Sequence, residues 1–223
     1  MNVLRNSRLR IVSMFIFCFV IKGKLHAQVD SSSLLLSITL DSSVYQLYHI
    51  DEFRFYISEI CLYRGQKIVY KDKNSGYLID LSKEDVIDLP LQISTLDADS
   101  LSIRFGLDSV KQISGVFEGD LDPIHGMYWT WNTGYIHYKL EVTPLAKNDR
   151  TARFELHLGG YSYPFYTSFL KMFPILNNQV KVSIDVLPVI RQMEQWGLKR
   201  IMRPCRQASM LSRILMDQIL YIP

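Results

Sequence analysis

The chain has 223 residues, 48% of them apolar, 12% aromatic and 21% charged, with a formal charge of +3. That is enough material for one domain with a proper core, and it excludes a disordered or collagen-like chain. The basic balance is no argument for a nucleic-acid partner, because it is carried by the first 27 residues.

Arg5, Arg8 and Arg10 precede an apolar run from Ile11 to Ile21, followed by KGKLHAQ. This is the basic, apolar and polar order of a secretory signal, too short to span a bilayer as a stable helix. Cleavage is expected after Ala27, which predicts a protein exported to the periplasm or cell envelope with no transmembrane span after processing. Removing residues 1–27 takes away five Lys and Arg and no acid, so the formal charge falls from +3 to −2. Residues 28–223 read as a single domain.

After a short N-terminal segment, LLLSITL (34–40) reads as a first strand and VYQLYH (44–49) as a second. Residues 52–63 alternate, with Phe53, Phe55, Ile57 and Cys61 on one face and Arg54, Tyr56 and Ser58 on the other. Arg64-Gly65-Gln66 turns the chain into KIVY (67–70), and a second turn at Asn74 to Gly76 leads to YLIDL (77–81). Residues 82–99 read as a connection around Pro90, LSIRFGL (101–107) as a strand, and Asp108 to Ile124 as a long ordered loop. MYWTW (127–131), GYIHYKLEV (134–142) and ARFELHL (152–158) follow as strands. The last two put His137, Lys139 and Glu141, and Arg153, Glu155 and His157, opposite their apolar faces. A Tyr- and Phe-rich loop is expected from Tyr161 to Pro174, then a last strand, QVKVSIDV (179–186). Pro188 and Gly197 bracket a short helix. Ala208, Leu211, Leu215 and Ile219 recur at helical spacing, so a helical flank covers about 187–220. The order predicts an all-β fold: an antiparallel β-sandwich, immunoglobulin-like or jelly-roll-like, with short C-terminal helices.

Signatures of hydrolases, nucleotide binders and zinc proteases are absent, so the chain is not expected to be an enzyme. Asp97, Asp99, Asp108, Asp120 and Asp122 suggest calcium but lack EF-hand spacing, and turn chemistry explains them as well. Cys61 and Cys205 could pair in an oxidising compartment or remain free. Four histidines follow the signal: His49, His125, His137 and His157. His137, on one face with Lys139 and Glu141, reads as solvated, and His49 has no evident partner. Trp129 and Trp131 at i, i+2 on an extended strand would share a face about 7 Å apart, with His125 and Met127 at their near end.

The FGLDS step (105–109), the block GDLDPIHGMYWTWNTGYIHYKLE (119–141) and HLGG (157–160) resemble the MbnP family, periplasmic copper-binding proteins associated with methanobactin. EFRFYISEICLYRG and YLIDL are similar to its first half. The resemblance implies copper held by histidine and by a tryptophan that a partner dihaem peroxidase-like enzyme oxidises to kynurenine. Carried over, it puts His157 first among the ligands. His125, Trp131, Trp129 and a soft axial Met127 stand beside it. The family's histidine in the first mature strand has no counterpart in LLLSITL. The competing expectation is a non-metal module of the envelope whose aromatic loops, Tyr128 to Trp131 and Tyr161 to Phe169, contact a protein or a glycan.

Overall fold

The computed structural model describes residues 33–92, 98–131, 134–146 and 150–223. The expected export signal, its expected cleavage site and Asp97 lie outside the described residues.

Two sheets face each other. The smaller contains β1 (Ser33–Leu40), β5 (Val86–Gln92), β12 (Gln179–Ile184) and β14 (Ile219–Ile222), in the order β14-β12-β1-β5. The larger is built on the 17-residue β2 (Tyr48–Arg64). β9 (Tyr138–Pro144) pairs with the first half of β2, and β6 (Ser100–Phe105) with its second half. β10 (Phe154–Leu158), β11 (Phe169–Pro174) and β13 (Arg200–Ile201) extend this sheet, while β3 (Lys67–Lys71) and β4 (Tyr77–Asp80) also pair with β2. Most pairings are antiparallel; β1 with β12 and β10 with β13 are parallel. The main core lies between the inner faces. Leu34, Leu36 and Ile38 of β1 and Val180 and Val182 of β12 meet Phe53 and Phe55 of β2, Leu140 and Val142 of β9, and Leu156 of β10.

Two helices close this core, α2 (Leu187–Gln195) and α3 (Arg206–Asp217), with a short α1 (Ser109–Ile113) elsewhere. Val189, Ile190 and Met193 of α2 join the same cluster, as do Ala208, Leu211 and Leu215 of α3, whose helical spacing predicts it, whereas Ile219 falls in strand β14 and not on the helix. No helix among the described residues is long and apolar enough to cross a membrane.

Several local expectations are corrected. Residues 42–46 form a 3-10 helix and not a strand, because the Asp41 carboxylate accepts from the Ser43 N–H and caps it. The segment 86–92, read as a connection, is edge strand β5; Pro90 sits opposite Leu35, and an edge strand tolerates its missing N–H. Residues 169–174 are a strand as well. In β2 the inner face runs Phe53, Phe55, Ile57 and then Ile60 and Leu62, because the register shifts between Ser58 and Cys61 with Glu59 at φ +47°. That bulge inserts one residue and turns Cys61 to the outer face. The same shift removes the disulfide. Cys61 is a buried free thiol on the outer face, whereas Cys205 is a free thiol that packs against the main core at the start of α3.

Candidate metal-binding surface

The chain between β6 and β9 folds back over the outer face of the large sheet and makes a second, smaller core. Its members are Leu107, Leu121, Met127, Trp129, Tyr135 and Ile136, laid on Tyr56 of β2. Short pieces organise it: α1, a 3-10 turn at Gly119–Leu121, another at Pro123–His125, and the two-strand ribbon of β7 (Tyr128–Trp129) with β8 (Gly134–Tyr135). The acids that suggested calcium hold these turns. The carboxylates of Asp108, Asp120 and Asp122 accept from the backbone N–H groups of Lys111, Leu78 and Ile124, and that of Asp99 accepts from Gly65.

β7 ends at Trp129, so Trp131 stands in the following turn and not on the strand. The two rings nevertheless touch, with centroids 5.7 Å apart and planes inclined by 44°. They have opposite exposures: Trp129 is 5% exposed and Trp131 65%. Among the described residues the buried Trp129 Nε1 has no hydrogen-bond partner, a costly state for an indole N–H.

Trp129 lies on the HLGG segment. A Cβ on Gly159 would stand 2.8 and 2.9 Å from the Trp129 ring carbons and 2.6 Å from the Tyr135 carbonyl oxygen, so only glycine gives the indole its floor. A Cβ on Gly160 would come within 2.1 Å of the Phe165 carbonyl oxygen. By strand alternation Gly159 follows His157 on the outer face, which puts the imidazole and the paired indoles on one side of the sheet.

His157 is 8% exposed. Its Nε2 lies 2.8 Å from Glu141 Oε1, and Glu141 also pairs with Arg153. Lys139, Glu52, Arg54 and Asp51 continue this line of alternating charges. Burial pushes the His157 pKa down, more strongly than Glu141 raises it. Burial alone would raise Glu141, but the His157 hydrogen bond and the Arg153 and Lys139 charges leave it below the usual range. Both directions describe a neutral imidazole donating Nε2–H to a carboxylate, which leaves the Nδ1 lone pair as the ring's donor.

The other histidines are elsewhere engaged. His137, expected in solvent, is fully buried. Its Nδ1 lies 2.9 Å from Thr167 Oγ1, and Gln112 Nε2 donates to its Nε2. Gln112 also clamps the Tyr135 backbone, accepting from its N–H at 2.7 Å and donating to its carbonyl at 3.1 Å. Burial, reinforced by the Arg104 charge, pushes the His137 pKa down to about 3. His125 ties its turn to the preceding one, with Nε2 3.1 Å from the Gly119 carbonyl, while its carbonyl accepts from Arg54 at 2.5 Å. Met127 is fully buried in the smaller core. His49 is exposed, 3.9 Å from Asp51. Among the described residues no three His, Cys, Asp or Glu side chains gather as a metal cluster. Of the expected ligands, the fold puts His157 and the indole pair on one outer face of the large sheet.

Beside Trp131 opens a cleft of about 430 Å³, lined also by Leu198, Arg200, Met202, Arg203 and Cys205. Sequence reading missed Met202. It follows β13, a strand only two residues long that carries no readable alternation.

The molecule is thus a β-sandwich whose outer face carries a paired-indole surface beside a carboxylate-held imidazole. A sequence model of the MbnP family matches residues 23–199, most of the chain, and the chain belongs to that family. Among solved structures, MbnP from Methylosinus trichosporium is similar in fold, with a TM-score of 0.51 and 13% sequence identity. The match covers 71% of this chain and 77% of that one. No curated protein matches.

Proposed function

We propose that this chain is an exported copper-binding protein of the MbnP family, a carrier or store and not a catalyst. Copper is its cargo, held by His157 through Nδ1 and by the indole side of the surface at Trp131. The observation that supports this reading is the shared outer face of His157 and the Trp129–Trp131 pair, with Gly159 as the floor beneath one ring.

A partner dihaem enzyme would supply the oxidising equivalents for conversion of one indole to kynurenine. In that conversion two oxygen atoms add across the indole C2–C3 bond, and hydrolysis releases formic acid. A ketone and an aniline nitrogen remain. Trp131 is the ring a partner enzyme can reach, because Trp129 is covered.

Copper content of the mature protein purified from its own host, compared with a His157→Ala variant, tests the reading. A fall of about one copper per chain in the variant supports it. Unchanged copper in the variant refutes the assignment of His157. The alternative envelope module is favoured by the exposure of Trp131 and Tyr163, and it predicts a protein or glycan partner with no metal in either sample.

A further inference from the structure

The cleft beside Trp131 is lined by two sulfur-bearing side chains and an indole. β13 and α3 are joined by the four residues Met202, Arg203, Pro204 and Cys205, and both sulfur side chains line the cleft with Trp131. The connection is held in place from three sides. At its start, Ile201 pairs in parallel with Leu156 of β10. At its end, Cys205 Sγ accepts from the Ala208 N–H at 3.4 Å, capping α3. In the middle, Pro204 packs on the HLGG segment, where a Cβ on Gly160 would stand 3.6 Å from Pro204 Cβ. These residues lie beyond residue 199, where the family match ends.

We propose that Met202 and Cys205, with Trp131 as the facing wall, form a binding site for a soft monovalent cation, Cu(I). The thiol of Cys205 releases its proton to solvent as the sulfur–metal bond forms, and the Met202 thioether adds a neutral second donor. The metal enters and leaves as Cu(I), so no electron is transferred. A thiolate and a thioether select Cu(I) over divalent ions, which prefer nitrogen and oxygen donors. The Arg200 guanidinium is held by Glu155, whereas Arg203 lines the cleft, and the positive field further disfavours a doubly charged ion. Trp131 offers a ring face of the kind that attracts cations.

The site extends the copper reading but uses neither His157 nor an oxidised ring, so it can stand if that reading fails. The test therefore uses the mature chain made without any partner enzyme, carrying His157→Ala and Cys61→Ser. Ag(I) serves as the redox-inert probe, in competition with a soluble chelator. We expect about one Ag(I) per chain, quenched indole emission and a displaced Met202 ε-methyl carbon resonance. Adding Cys205→Ser should abolish binding while keeping the helix cap, since a serine hydroxyl accepts the same N–H. Adding Met202→Leu should weaken binding about tenfold or more, as loss of a metal-site partner commonly does. Affinity unchanged by Met202→Leu would mean a bare thiol and overturn the proposal. Binding retained after Cys205→Ser would overturn it as well.

Discussion

Gly159 offers the sharpest perturbation of the surface on which the functional reading rests. In Gly159→Ala the added methyl would meet the Tyr135 carbonyl oxygen at 2.6 Å and two Trp129 ring carbons at 2.8 and 2.9 Å. Real Cβ contacts are longer, so something must move. The carbonyl belongs to β8, clamped by Gln112 through both of Tyr135's backbone groups, and cannot retreat cheaply. The ring is the softer neighbour, and displacing it also disturbs its contact with Trp131. Overpacking of this kind costs about 1–3 kcal/mol, and the rigid carbonyl puts the expectation near the upper value. For a domain of this size, each kcal/mol lowers Tm by about 2–4 °C, so a fall of roughly 6–12 °C is expected. The assay is thermal unfolding followed by near-ultraviolet circular dichroism, whose indole band should also change before melting. Gly65→Ala is the comparison: it has open space around the new methyl and only a positive φ of +56° to accommodate. It should lose about 1 kcal/mol with the indole band intact. A Gly159→Ala protein within about 0.5 kcal/mol of the parent would refute the floor argument.

Other expectations follow from the same geometry. His137 is held neutral, with its pKa pushed down to about 3, while the unfolded chain titrates near 6.5. The unfolded state therefore binds the extra proton between those values. Stability should be complete above about pH 6.5 and fall by up to about 1.4 kcal/mol per pH unit as pH drops toward 3. Urea midpoints measured across that window test it, and His137→Gln should flatten the slope. Trp129→Ala, emptying a buried ring site, should cost about 3–5 kcal/mol, whereas Trp131→Phe should stay within about 0.5 kcal/mol by denaturant unfolding. Glu141→Gln removes the counter-charge of Arg153 and weakens the acceptor of the His157 N–H, and should cost about 1–3 kcal/mol by the same measurement.

The alternation of Phe53, Phe55 and Ile57 and the outward setting of Glu155 and His157 were legible, because a two-residue period reports burial directly. The bulge at Glu59 was not, since one extra residue leaves no compositional trace, and Cys61 changed faces with it. Strand β5 was hidden by Pro90 and its acidic neighbours; its ladder partner β1 lies some fifty residues earlier. At the site, the Trp pair and HLGG were visible as a motif, but the separate fates of the two rings depend on where β7 stops. His137 looked solvated because its covers, Gln112 and Thr167, come from distant parts of the chain. Burial of a polar residue by remote loops has no local signal.

The account turns on whether the face shared by His157 and the indoles carries copper. The direct measurement is metal analysis and peptide mass of the mature chain from its own copper-replete host, with His157→Ala alongside. A Trp131 peptide short of one carbon and richer by one oxygen, and a fall of about one copper per chain in the variant, are expected. A metal-free chain with both tryptophan peptides unaltered would contradict it.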